Sequence, residues 1–163
     1  MPKEATGKTG VPSPTRNKPE RPRDRLGRPQ AWGAKNQLQM PNFDEMTLEE
    51  NHELGRRYIR ERDFVPAHEA WETAWKQARG TDEAEFFKGL SQMGAGYVHL
   101  MRGNAHGTVT LLRRASSRVG KYPDGHHGIH TGALRDKLEA DVARVLRGAL
   151  VPGDDAAFDP PDV

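Results

Sequence analysis

Phe86-Phe87-Lys88-Gly89-Leu90-Ser91-Gln92-Met93-Gly94-Ala95-Gly96-Tyr97-Val98-His99-Leu100-Met101 is the most apolar stretch of the chain. Phe86, Leu90, Met93, Tyr97 and Met101 recur every three or four residues, which is the period of one helix face. Phe87, Gly94 and Val98 widen that face. Gly94 and Gly96 each cost a helix about 1 kcal/mol relative to alanine. The return expected for that cost is close approach by a neighbouring helix.

The same period extends to both sides. Upstream, Thr47-Leu48-Glu49-Glu50 reads as a capping box that opens a first helix with Leu54 and Tyr58 inward and Ile59 beside them. Asp63 can cap a second helix that carries Ala67, Ala70, Trp71, Ala74, Trp75 and Ala78, and Gly80 closes it. Thr81 or Asp82 starts the third. Downstream, Gly103 ends the third helix and Asn104 caps a fourth, on which Thr108, Leu111, Leu112, Ala115 and Val119 form a stripe. Gly120 closes it, and Lys121–Gly128 is a loop. Thr131 caps a fifth helix with Leu134, Leu138, Val142, Val145 and Ala149 on one side. No alternating pattern of strand type appears at useful length. The expected fold is all-α, a compact bundle of about five short antiparallel helices with a disordered basic arm before it.

The boundaries follow from composition. The chain has 163 residues, 34% hydrophobic and 29% charged, with no cysteine. That length supports one domain, and the missing cysteine excludes disulfides, thiolate zinc sites and a cysteine nucleophile. Residues 1–41 hold nine Lys or Arg against three acids, and seven of the twelve prolines. With so few large apolar side chains the segment cannot offset its ordering entropy, so it reads as a disordered basic arm. The helical domain then occupies 42–150. Residues 151–163, with Asp154, Asp155, Asp159 and Asp162, read as a loose acidic tail. No apolar run is long enough to span a membrane, and Met1-Pro2-Lys3-Glu4 does not open a secretory signal. The expected compartment is therefore the cytoplasm.

The chemistry-bearing residues gather on two helices. His68, Glu72 and Trp75 lie at i, i+4 and i+7, on one face of the second helix, with Trp71 beside them. Gln92 and His99 are two turns apart on the third. If these helices pack antiparallel, with Gly96 permitting the approach, His68, Glu72, Gln92 and His99 converge. Three readings of that cluster stand: a buried polar network that fixes register, a ligand or acid–base pocket with Glu72 held between the tryptophans, and, last, a metal site. His-x-x-x-Glu is not the His-Glu-x-x-His zincin pattern, so no metal is assigned. The loop histidines His126, His127 and His130 read as a solvated loop or pocket rim, because adjacent histidines usually point apart. No phosphate-binding glycine loop, dinucleotide fingerprint or serine elbow is present.

Two basic features bear on partners. Arg21, Arg23, Arg25 and Arg28 of the arm offer weak, salt-sensitive contact with nucleic acid. Arg113, Arg114, Arg118 and Lys121 make a solvated strip on the fourth helix. Any other partner is a small molecule or a protein of unknown identity, and no cofactor is specified.

Asp63-Phe64-Val65-Pro66-Ala67-His68-Glu69-Ala70-Trp71-Glu72-Thr73-Ala74-Trp75 resembles the signature helix of the bacterial and archaeal family called domain of unknown function 309. The block Phe87–His99, continued by Arg102-Gly103-Asn104, Gly107, Leu111 and Leu112, resembles its second conserved region. The resemblance spans roughly residues 50–140. It places the family's polar positions on His68, Glu69, Glu72, Trp75, Gln92, His99, Gly103 and Asn104. Arg23–Pro29 is also similar to a segment that precedes the domain in actinobacterial members. Ser91, His106 and Thr108 depart from the usual residues. The resemblance implies an all-helical domain with clustered polar side chains and implies no reaction. The candidate site is thus His68, Glu69, Trp71, Glu72, Trp75, Gln92, His99 and Asn104. It fits a helical binding or interaction module, or alternatively a small acid–base enzyme using Glu72 and a histidine.

Overall fold

The computed structural model describes residues 20–163. It contains a 3-10 turn at Phe43–Glu45 and five α-helices: α1 (Leu48–Arg60), α2 (Phe64–Gln77), α3 (Ala84–Met101), α4 (Ala105–Val119) and α5 (Thr131–Leu146). The described residues form no strand, only isolated bridges at Arg23–Pro29 and His126–Ile129. The all-α class expected from the sequence is the class observed.

Local chemistry sets most helix ends. The Thr47 hydroxyl accepts from the Glu50 N–H at 3.1 Å, and the Glu50 carboxylate accepts from the Thr47 N–H at 3.0 Å, completing the capping box. Asn104 accepts from the Gly107 N–H at 2.9 Å at the start of α4. Gly80 and Gly103 leave their helices with φ of +79° and +83°, the left-handed region open to glycine. Two starts differ from expectation. Thr81 donates to the Ala78 carbonyl at 2.6 Å and accepts from the Glu83 N–H at 3.2 Å. That extra turn delays α3 to Ala84. Thr131 is the first residue of α5 rather than its cap, because its hydroxyl is taken by the Tyr122 carbonyl at 2.9 Å.

Each helix packs chiefly on its chain neighbour, α1 on α2, α2 on α3, α3 on α4 and α4 on α5. Short connections make α1, α2, α3 and α4 successively antiparallel, and the longer segment 120–130 joins α4 to α5. α3 lies in the middle and buries Phe86, Phe87, Leu90, Met93, Tyr97 and Leu100 completely. Its two glycines serve different partners. A Cβ on Gly94 would lie 2.9 Å from the backbone N of His68 in α2, whereas one on Gly96 would lie 2.7 Å from the Leu112 side chain in α4. Gly94, and not Gly96, therefore sets the spacing of α2 and α3.

α1 turns a different face inward from the one its apolar residues indicate. Asn51, His52, Gly55 and Ile59 are buried, while Leu54 and Tyr58 are half-buried. The reason is Trp71, fully buried in α2. Its ring carbons would be 2.4–2.9 Å from a Cβ on Gly55, so only glycine fits there.

The termini correct the sequence reading where they are described. Of the expected arm 1–41, residues 1–19 lie outside the described residues. Residues 20–41 have no helix or strand, yet fold onto the bundle. Asp24 is nearly buried and accepts from the Arg28 N–H at 2.8 Å and the Leu26 N–H at 3.0 Å. Arg102 of the bundle donates to the Leu26 carbonyl, and Arg25 pairs with Asp63. Polar and backbone hydrogen bonds hold this segment, so a count of apolar side chains missed it. The loose acidic tail expected at 151–163 is also packed. Phe158 stacks on Tyr97 with ring centroids 5.3 Å apart and on Phe64 at 5.9 Å, and Ala156 and Val163 are buried. A single aromatic outweighs the neighbouring aspartates, which stay exposed.

Candidate functional site

α2 and α3 run antiparallel past Gly94, and the first half of α2 meets the second half of α3. Val65, His68 and Glu69 from α2, with Ala95, Val98 and His99 from α3 and the following Arg102, line an open cleft of about 220 Å³. Of the four residues expected to converge, His68 and His99 line this cleft, and Glu72 and Gln92 do not.

Both imidazoles have a defined tautomer in their neutral form. His68 Nδ1 is 2.9 Å from the Ser91 carbonyl oxygen, which can only accept, so Nδ1 carries the proton. The Ser91 hydroxyl is also 2.9 Å from Nδ1 and donates to the His68 carbonyl at 3.2 Å. His68 Nε2 is left as an acceptor. His99 is the reverse. Asn104 uses its carbonyl oxygen on Gly107, so its amide N–H donates to His99 Nδ1 at 3.1 Å, and the His99 proton is on Nε2. Partial burial holds the His99 pKa below the usual histidine range, with repulsion from Arg102 and His68 adding to it. One cleft therefore presents a neutral donor and an acceptor, beside the Glu69 carboxylate.

The remaining candidates distribute unevenly. Glu72 Oε2 lies 3.4 Å from His68 Nε2, and Lys76 lies 3.9 Å from the same carboxylate. Glu72 is not enclosed between tryptophans, because its side chain keeps a third of its exposure. Trp71 points away from the cleft into the α1–α2 interface, where its indole N–H donates to His52. Trp75 is half-buried, with the Arg79 and Lys88 cations 5.1 and 5.3 Å from its ring. Gln92 reaches across to α4 and accepts from Arg118 at 3.0 Å. Gln92 thus lies outside the His68–His99 cleft, because α3 is flanked by α2 and α4 and its side chains divide between them. His68, Glu69 and Glu72 bring donor atoms within 4.8 Å of one another.

Residues 53–111 match the family described as "Domain of unknown function (DUF309)". This segment is similar to the DUF309 family. The DUF309 segment runs from within α1 to within α4 and contains every residue of the cleft. No curated protein and no solved structure matches the chain.

A second polar cluster joins Glu83, within the matched segment, to His126 and His127 beyond it, two histidines that the sequence places on a solvated loop or pocket rim. His126 Nε2 and His127 Nε2 lie 2.7 and 2.8 Å from one oxygen of Glu83, the residue that caps α3. His127 also accepts, through its carbonyl oxygen, a hydrogen bond of 2.9 Å from His52 Nε2. Ile129 N–H donates to the His126 carbonyl at 2.9 Å. The two residues between, His127 and Gly128, have φ of +47° and +79°. Paired positive φ values are the mark of a type I′ turn, and this turn brings both rings to the same side. The available signal was His-Gly, a dipeptide whose residues tolerate the left-handed region. His130, by contrast, is exposed and lies 3.4 Å from Asp124.

The chain thus carries polar His/Glu surfaces on a helical scaffold. No helix among the described residues is long and apolar enough to cross a membrane. Arg21, Arg23, Arg25 and Arg28 each have a partner within the chain: the Gln30 carbonyl, the Gly27 carbonyl, Asp63, and Asp24 with Asp154.

Proposed function

We propose that the chain is a binding module whose α2–α3 cleft takes a small polar ligand. The observation that carries this reading is the pairing of His68 and His99 in opposite tautomers on one open cleft. A ligand offering a hydrogen-bond donor to His68 Nε2 and an acceptor to His99 Nε2–H satisfies both at once. Ser91 and Asn104 hold the rings beforehand, which lowers the ordering cost of binding. The cleft is at the small end for ligand sites, so the occupant is a compact metabolite rather than a nucleotide.

The test is a thermal-shift screen of polar metabolites on the full chain, repeated with His99→Ala and Glu69→Gln. A ligand at 100 times its Kd adds about 2.7 kcal/mol to folding stability. The expected result is a hit that raises Tm in the native protein and in neither variant. Hits that shift all three proteins equally would reject the cleft.

An acid–base enzyme is the second reading, and the His68–Glu72 separation of 3.4 Å favours it. The pair brackets the place of one transferable proton. Glu72→Gln separates the readings. An enzyme loses turnover of its substrate with its fold intact, whereas a binding module keeps its ligand affinity within a few fold. Contact of the arm with nucleic acid has less support, because Arg21, Arg23, Arg25 and Arg28 are already engaged.

A further inference from the structure

We propose that Glu83, His126 and His127 form a binding site for a divalent transition metal of the zinc type. The three donor atoms lie within 4.8 Å of one another. Two imidazole nitrogens and one carboxylate oxygen are a ligand set that suits zinc and its neighbours, and are too nitrogen-rich for magnesium or calcium. The site is separate from the α2–α3 cleft and from the function proposed for it.

Three features of the surroundings distinguish this cluster from a surface ion pair. The first is the backbone. His127 holds a left-handed φ of +47°, a conformation uncommon outside glycine, and its effect is to aim two adjacent rings at one carboxylate oxygen. The turn is fixed from the core. The Trp71 indole donates to His52 Nδ1 at 3.1 Å, so the His52 proton is on Nε2 and donates to the His127 carbonyl. The second is the wall behind the rings. His126 meets the Phe86 ring edge-on at 4.8 Å and stacks on Tyr122 at 4.9 Å, while His127 stacks on Phe86 at 5.6 Å. The imidazoles are about 80% covered, and an apolar shell of this kind limits solvent to one side of a metal. The third is the other nitrogen of His127. Its Nδ1 is 3.6 Å from Glu49. A proton on Nδ1 would let this carboxylate close to hydrogen-bond distance and support a metal-bound Nε2, the arrangement found behind metal-bound histidines.

Without metal, Glu83 accepts a proton-bearing Nε2 from each ring. With metal, each neutral ring carries its proton on Nδ1 instead of Nε2, and the three donors turn from each other onto the ion. The fourth position opens to the half-exposed side of Glu83 and is filled by water. Arg56 is the nearby cation, beside Gly128, and its charge is paired with Glu53 at 3.1 Å.

The experiment titrates the full chain, treated with chelator and carrying no affinity tag, with zinc and with cobalt(II). Calorimetry gives stoichiometry and affinity, and cobalt absorption reports nitrogen ligation. Glu83→Gln and His127→Asn remove one ligand each. Asparagine tolerates the left-handed turn, so that variant keeps the backbone. His68→Gln disables the other His/Glu cluster. The expected result is one equivalent of zinc, weakened more than about 100-fold by either ligand variant, beyond the loss typical of an outer-shell change. His68→Gln leaves it unchanged within threefold. Long-range nitrogen NMR of the native protein gives a second readout that needs no variant: zinc shifts Nε2 of His126 and His127. Absence of binding at millimolar zinc, binding that survives both ligand variants, or zinc-induced shifts confined to other histidines each overturn the proposal.

Discussion

The Trp71 indole N–H donates to Nδ1 of His52 at 3.1 Å, with both residues buried, and joins α2 to α1 through a polar bond inside the core. Burial holds the His52 pKa below the usual histidine range, so the ring stays neutral and keeps an acceptor for the indole. Trp71→Phe removes the donor, strands Nδ1 and leaves a small void. The expected cost is about 2–4 kcal/mol by denaturant unfolding, combining an unsatisfied acceptor with lost packing. Ligand binding at the α2–α3 cleft should persist. A cost below about 0.5 kcal/mol would show that the bond contributes nothing net.

Gly94→Ala tests the spacing of the cleft. Helix propensity alone favours alanine by about 1 kcal/mol. The new Cβ, however, meets the His68 backbone N at 2.9 Å, and backbone cannot rotate away as a side-chain tip can. The helices must separate, and His68 moves with them. The expected outcome is net destabilisation of about 1–3 kcal/mol and loss of the His68–Ser91 contact, read as a changed His68 ring signal by NMR. A stabilised variant would show that α2 and α3 are not in close contact at this point.

His99 gives a pH dependence of known sign. Its folded pKa is below the value of about 6.5 for an unfolded histidine. As pH falls through 6.5 the unfolded chain takes up this proton first. Stability present above 6.5 is therefore lost as pH drops toward the folded pKa. In an NMR titration the His99 ring should show a midpoint below 6.5. Arg102→Gln removes one repelling charge and should raise that midpoint. A midpoint at or above 6.5, or one indifferent to Arg102, would contradict the assigned causes.

Phe158→Ala tests the packing of the tail. Phe158 stacks on Tyr97 and Phe64, and the Arg62 guanidinium lies 4.5 Å over its ring. The expected loss is about 3 kcal/mol, seen as a clear fall in Tm. Asp159→Ala, an exposed neighbour, should change stability by less than about 0.5 kcal/mol. Equal effects would mean that the tail does not depend on its aromatic.

The tests at Gly94 and Phe158 also mark what could and could not be read in the chain. The helix count, most helix ends and the apolar face of α3 were determined by the sequence itself. Period 3.6, Thr47 with Glu50, Asn104, Gly80 and Gly103 all act within a few residues, and such short-range effects are written in order along the chain. The spacing put His68 on one helix and His99 on the next, but which of the four polar residues would line a cleft depended on Gly94 rather than Gly96 facing α2. The tertiary structure alone decided the rest. Trp71 faces α1 because Gly55 makes room there, Gln92 turns to Arg118 on α4, and Phe158 finds an aromatic gap made by α2 and α3. His126 and His127 meet at Glu83 because a turn with two positive φ values is anchored by His52, 75 residues before His127. Each of these depends on which side chain fills a space formed by distant segments. Periodicity assigns a residue to a face of its own helix, but it does not say which neighbour that face will meet.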